Sequence, residues 1–315
     1  MPAVSLVVCV YRERALLERL LREAAGLWDD LVVVHDGPEG GSAAPAPPPA
    51  LDYASEPMER FSSAYPEPSG PATTGSIHAL VRSHGGRFFE GGRCRQQEPH
   101  WPFAWRQARH DWILRLDADE FPSAEMKAWL QTFRTAPEGG PEVSGYTCLW
   151  PLWDGRQAVT DRWPPGRHFL FHRQRVRFFG MVEQVPIADL EYQPLDLVLH
   201  HQPTRKSHGV RNILFRQQAY AWRRVIADSL LRRPTDLPRW RWEARDWPEM
   251  WQHLRRHPLR HSVSSLLRFP LRQARSMRAA RQRPILSACL NPGLHHFMLG
   301  LQVFAARYRR SGPLP

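Results

Sequence analysis

Three acids crowd the end of one apolar run, Asp111-Trp112-Ile113-Leu114-Arg115-Leu116-Asp117-Ala118-Asp119-Glu120. Asp117 and Asp119, two residues apart, can each turn a carboxylate toward a divalent cation, or one toward the cation and one toward a sugar hydroxyl. Mg²⁺ or Mn²⁺ takes only one or two protein carboxylates and completes its shell with substrate phosphates and water. The pattern therefore points to a site for a metal together with a nucleotide diphosphate. A D-x-D alone arises by chance in any chain with many acids. Here it ends an apolar strand, at the edge where open α/β sheets bind ligands, and a serine-capped helix, SAEMKAWLQTF (123–133), follows it.

The elements that must position these acids can be read upstream. VSLVVCV (4–10) is a continuous apolar run of strand length, ALLERLLREAAGL (15–27) has leucines at helical spacing, and DLVVVHDGP (30–38) is a second apolar run closed by a turn signal. Strand, helix and strand of these lengths make a βαβ unit and predict a parallel sheet with helices on its faces. Residues from about 38 to 75 are rich in Pro, Gly, Ala and Ser, and are expected to form a loop insertion with too little apolar surface to order itself. SIHALVRSHGGRFFE (76–90) then reads as helix and strand, HWPFAWRQARHD (100–111) as a helix, and WILRLD (112–117) as the strand that carries the acids. Later strands are expected in 144–153, 167–173 and 195–201, and a helix over 210–233.

Composition narrows the class. The 315 residues, 42% hydrophobic and 23% charged, suffice for one large core plus an appended segment. The four cysteines, Cys9, Cys94, Cys148 and Cys289, are far apart with no C-x-x-C pair, which argues against a zinc ribbon or a disulfide framework and fits a reducing, cytoplasmic setting. The apolar run after Pro2 is short and lacks a basic leader or cleavage site, so it reads as a strand and not a signal peptide. No run is long and apolar enough to be assigned as a membrane span.

The segments VSLVVCVYRERALLERLL, DLVVVHDGP and WILRLDADEF resemble the family 2 glycosyltransferases of the GT-A fold, over roughly residues 3–201. The resemblance implies a nucleotide-diphospho-sugar transferase fold, α/β with a mostly parallel central sheet and helices on both faces. It implies a catalytic domain over 1–205, followed by a basic Arg/Trp-rich helical region over 206–315. Tyr11 and Glu13 match the family's first motif and Asp36 its nucleoside-contacting turn, while Asp117 and Asp119 match the D-x-D that holds the donor diphosphate through Mg²⁺ or Mn²⁺. Arg12 stands where the family usually has Asn, His35 where it often has a first Asp, and His100-Trp101 where many members carry Arg-Asn.

FLFHRQRVRFFGMVEQVP (169–186) is similar to a segment of bacterial cell-surface members that carries Phe-x-Gly-x-Val-His-Glu, with Glu183 here at the usual His and Gln184 at the usual Glu. An inverting transfer needs a base for the acceptor hydroxyl. Glu183 is the candidate, with Asp154 and Asp161 behind it; a structural ion pair of Glu183 with Arg173, Arg175 or Arg177 is an equal alternative. The family often places a metal- or diphosphate-approaching His at the end of the next strand. Side chains alternate there, so only one of His200 and His201 can face the site, and His200 is favoured.

Charge is divided unevenly. Residues 201–315 hold 23 Lys and Arg against 5 Asp and Glu, whereas residues 1–200 hold 20 against 26, and from 251 onward there are 12 Arg and no acid. Such a segment is a footprint for a polyanion. Residues 266–284 and 294–310 place apolar and Arg positions at helical spacings, as for helices lying on an anionic bilayer, or packing on the catalytic domain. No recognised nucleic-acid module accompanies the charge. The expected function is inverting, metal-dependent transfer of a sugar from a nucleotide-diphosphate donor to a cell-surface glycan (lipopolysaccharide among them) or lipid-linked acceptor. The expected location is the cytoplasm, with peripheral association at the inner face of the cytoplasmic membrane. A metal-dependent nucleotidyltransferase and a non-catalytic membrane-associated protein on a degenerate transferase fold are the other readings.

Overall fold

The computed structural model describes residues 1–39, 65, 75–92, 97–136, 142–153, 155–158, 166–177, 186–188, 190–203, 214, 223–224, 227, 230–231, 249–279, 281 and 283–311. The chain divides into two units, one of residues 1–151, 165–180 and 184–204, the other of 152–164, 181–183 and 205–315.

In the first unit β1 (Val4–Val10) and β2 (Asp30–Asp36) are buried along their whole lengths, as continuous apolar runs between two helical layers must be. Between them α1 (Arg14–Glu23) buries Leu17, Leu20 and Leu21, each worth roughly 2 kcal/mol of apolar burial. Leu20→Ala would cost about 2–5 kcal/mol. The second helix, α2 (Ile77–Ser83), starts where Ser76 Oγ accepts the Ala79 amide at 3.0 Å, and leads into β3 (Arg87–Gly91). After a 3₁₀ turn at Glu98–His100, α3 (Trp101–Gln107) feeds β4 (Trp112–Arg115). β5 (Glu120–Pro122) and α4 (Ala124–Thr135) follow, and Ser123 Oγ caps α4 by accepting the Met126 amide at 3.2 Å. The remaining strands are β6 (Gly145–Leu149), β7 (Arg167–His172), β8 (Val176–Arg177), β9 (Ile187–Ala188) and β10 (Tyr192–His201).

Eight strands form one sheet in the order β3-β2-β1-β4-β7-β6-β10-β5. β1 is parallel to β2 and β4, β2 to β3, and β6 to β10; β7 runs antiparallel to β4 and β6, and β5 to β10. Alternation along β1 sends Val4, Leu6, Val8 and Val10 into the layer of α1, α2 and α4, and Val7 and Cys9 into the layer of α3. The expected α/β architecture, mostly parallel with helices on both faces, is therefore present. Trp101, Trp105 and Trp112 are core residues, 1%, 6% and 7% exposed.

The Pro-rich insertion is tied at both described ends. Glu39 donates its amide to Glu90 Oε1 at 2.8 Å, and its carboxylate accepts the amides of Ile77 and His78 at the start of α2. Tyr65, expected in unordered loop, is instead buried and stacked on Phe103 with ring centroids 4.0 Å apart. Aromatic burial supplies there what the surrounding Pro, Gly and Ser cannot.

The described part of the second unit contains α5 (Glu249–Arg256), α6 (Pro258–Ala279) and α7 (Leu286–Ser311). Helical spacing is read over 266–284, a stretch that includes Pro270, and over 294–310, beyond Pro292. α6 runs through Pro270, as that stretch implies, and α7 starts before the expected segment and runs through Pro292 as well. A proline removes one backbone donor and crowds the preceding turn. Gly293 of α7 faces the Pro270 ring so closely that a Cβ would lie 2.8 Å from its Cδ, so the two helices interlock at the proline. Only Leu214, Arg223, Arg224, Ala227, Leu230 and Leu231 of the helix expected over 210–233 are described, the first five as helical.

Candidate functional site

The site is built where β4 ends. The chain leaves the sheet at Leu116, turns through Asp117–Asp119 and returns as β5, whose register with β10 sets Glu120 opposite His201 and Phe121 opposite His200. Paired residues of antiparallel strands share a face. His201 Nε2 accordingly lies 3.4 Å from Asp119 Oδ2, with its ring stacked 4.2 Å from Trp150. Burial opposes protonation of His201, but the hydrogen bond to Asp119 and the charges of Asp119, Glu120 and Asp117 outweigh it and raise its pKa. His200, the residue favoured by the sequence, stands on the opposite strand face, where its charge acts on Glu125 of α4. The two neighbours thus alternate across the strand, and it is His201, not His200, that lies beside Asp119.

Asp117 is already engaged. Gln97 donates to its Oδ2 at 3.0 Å, and Arg167 Nη2 lies 2.9 Å from its Oδ1. The Asp117 amide donates to Glu120 Oε2 at 2.8 Å, and Arg167 Nε reaches Glu120 Oε1 at 2.8 Å, so one guanidinium bridges two carboxylates. The β4–β7 register pairs Trp112 with His172 and Leu114 with Leu170; continued outward, it sets Arg167 level with Asp117. Burial raises the Asp117 carboxyl, yet Arg167 and Arg115 bring it below its ordinary value. For Glu120, fully buried, the burial cost prevails and its pKa is raised despite Arg167. Arg115, 5% exposed with its guanidinium 5.4 Å from the Trp101 ring, is pushed down to about 10 by burial and by Arg167.

The loop after β1 forms the other wall. Tyr11 packs on His35 at 5.7 Å, and Arg12 adopts a positive φ of 57°, costly for a residue with a Cβ. His35 clamps the two loops. Its Nε2 accepts the Arg12 amide at 3.3 Å and its Nδ1–H donates to the Gly37 carbonyl, partners that assign the Nδ1–H tautomer. Asp36 lies beside it, buried, with Oδ1 3.1 Å from His100 Nε2; His100 Nδ1 in turn lies 3.1 Å from the Tyr65 hydroxyl. Glu13 stands exposed at the head of α1 with Asp119 and Asp117 acting on it. Partial burial and those two like charges push its carboxyl up to about 7, water screening part of the effect.

The structure thus gathers Glu13, Asp117 and Asp119 within electrostatic reach at the C-terminal ends of β1 and β4, with Tyr11 on the loop after β1 and Asp36 at the end of β2. Glu183, Asp154 and Asp161 lie outside the described residues. Arg167, Arg115, Gln97, Glu120 and His201 complete the constellation; of these, Glu120 is read from the sequence as the third acid of the run and His201 as the alternative to His200, while Arg167, Arg115 and Gln97 carry no sequence signal. Among the described residues no group of three or more His, Cys, Asp or Glu is arranged to hold a metal ion unaided. The Asp119–His201 pair offers one carboxylate and one imidazole, a donor set suited to Mn²⁺ or Mg²⁺ only when phosphates and water complete the shell.

No family model and no curated protein matches the chain. Among solved structures it is similar to S. aureus TarS 1–349, at 12% identity over 98% of this chain and 92% of that one, with a TM-score of 0.37. The same fragment in complex with UDP gives 12% identity over the same shares and a TM-score of 0.33. A longer TarS structure gives 11% over 73% of this chain and 40% of that chain, at 0.32. Overlaps this loose carry no argument about substrate or mechanism, which must come from the site itself.

Proposed function

We propose that the chain transfers a sugar, with inversion, from a nucleotide-diphosphate donor to a hydroxyl of a cell-surface glycan or lipid-linked acceptor. The supporting observation is the charge arrangement at the sheet edge. Asp117 and Glu120 are matched by half-buried Arg167 and buried Arg115, whereas among the described residues Asp119 pairs with His201 and Glu13 faces like charges. An acidic edge of this kind gains when a cation and its diphosphate enter together.

A divalent cation held by Asp119 and His201, with the donor phosphates completing its shell, would supply charge stabilisation of the departing diphosphate. His201 would hold the cation as the neutral imidazole. Asp117, tied to Arg167 and Gln97, would keep the turn aimed and need not ligate the cation itself, a narrower role than the sequence suggested. Tyr11 and Asp36 flank the nucleoside, His100 holding Asp36 in place, and Arg115 and Arg167 add positive potential beneath the leaving group. The acceptor oxygen forms its bond to the anomeric carbon as the bond to the diphosphate breaks. The electron pair leaves with the nucleoside diphosphate, and the hydroxyl proton passes to a carboxylate, for which Glu183 is proposed.

Incubation with UDP-, GDP- and TDP-sugars and Mn²⁺ is expected to release nucleoside diphosphate. Release of pyrophosphate would instead identify a nucleotidyltransferase. Binding of a donor without any release would favour the non-catalytic reading.

A further inference from the structure

The second unit presents one face that is both apolar and basic. On α6, Leu259, Val263, Leu266, Leu267 and Leu271 recur at i, i+4, i+7, i+8 and i+12, a single helical stripe, and they are 45%, 68%, 39%, 70% and 57% exposed. The opposite face of α6 is used: His261, Ser262 and Ser265 are buried, and Gly300 of α7 comes so close that a Cβ would lie 2.6 Å from the Pro258 carbonyl oxygen. The stripe is therefore the face left over after the hairpin has packed. Arg260, Arg268, Arg272, Arg275 and Arg278 are exposed beside it.

We propose that this face of α6 docks, in the plane of the interface, on a bilayer rich in anionic lipid. The occupant must accept large aliphatic side chains and supply dense negative charge, and an anionic headgroup layer over acyl chains does both. A second copy of the chain is disfavoured by repulsion, since from residue 251 onward there are 12 Arg and no acid. Insertion across the membrane is not implied, because no helix among the described residues is long and apolar enough to cross one. The proposal goes beyond the transferase reading and its test does not depend on it.

The full chain is sedimented with vesicles of phosphatidylcholine alone and of phosphatidylcholine with phosphatidylglycerol. Two variants are compared, Val263→Ser/Leu267→Ser/Leu271→Ser and Arg268→Gln/Arg272→Gln/Arg275→Gln. All six positions are exposed, so both variants should keep the helical circular dichroism of the parent. Sedimentation is expected only with the anionic vesicles. It should fall on the order of a hundredfold without the three arginines, each cation being worth roughly a fivefold gain at such a surface, and it should be lost in the serine variant. The proposal is overturned if the folded parent ignores anionic vesicles or the serine variant sediments equally well. It is also overturned if the parent forms a dimer that the serine variant dissolves, which would name a second copy as the occupant.

Discussion

Acids stand at both edges of the central sheet, and the two sets are treated oppositely. At the edge where β2 begins, Asp29 accepts the Val4 amide at 2.9 Å and pairs with Arg134. Asp30, beside it, accepts from Ser5 Oγ, from the Arg109 amide and from Arg87, each at 2.9 Å. Burial alone would raise the Asp30 carboxyl, but these donors bring it below its ordinary value. At the edge where β1 and β4 end, Glu13 meets no cation among the described residues, and its carboxyl is raised to about 7. Acids saturated with donors fasten the sheet, whereas acids left in mutual repulsion suit the cation proposed for that edge. The D-x-D pattern alone cannot separate these cases; the partners do.

Breaking the matched pairs should produce the largest effects. Arg167→Ala leaves Asp117 and Glu120 buried against each other and should cost about 3–5 kcal/mol at pH 7, read by chemical denaturation. Both carboxyls would then have raised pKa values, so the deficit should shrink as pH falls and they protonate. Asp30→Asn should cost about 3 kcal/mol while leaving nucleotide binding unchanged. Because the folded Asp30 pKa is depressed, its contribution is present above the ordinary value of 3.8 and lost as pH falls through the folded pKa, so this deficit should persist down to that range.

Asp119→Asn should reverse the pattern, with stability nearly kept and Mn²⁺-dependent UDP affinity reduced on the order of a hundredfold in calorimetric titration. His201→Ala should weaken the same affinity by roughly tenfold or more, while His200→Ala leaves it intact. Loss from His200→Ala with His201→Ala intact would restore the sequence's choice. The smallest effect belongs to Glu13→Gln. A carboxyl raised from 4.5 to about 7 contributes stability that is lost as pH rises through that interval. The variant should therefore match the parent near pH 4 and be slightly more stable at pH 8 in thermal melts.

Much of the sheet was legible because its strands are continuous apolar runs and its helices have leucines at helical spacing and serine caps. β5, only three residues long, was missed: Glu120–Pro122 has no periodicity of its own and exists because β10 offers it a partner. The start of α7 was missed because Pro292 locally signals a break, yet the helix begins at Leu286 and runs through it. At the site, Asp117 and Asp119 were legible from spacing. Arg167 was hidden because its relation to Asp117 depends on an antiparallel register across 50 residues of chain. The same long-range pairing decides between His200 and His201, which no local pattern can do.

The most direct test of the difference between the two edges is a thermal-shift measurement with Mn²⁺ alone, UDP alone and both together, on the parent and on Asp119→Asn. Stabilisation that needs both additions and disappears in the variant is the expected result. No stabilisation of the folded parent by Mn²⁺ and UDP together, or an equal shift in Asp119→Asn, would contradict the assignment of the acidic edge as a metal–diphosphate site.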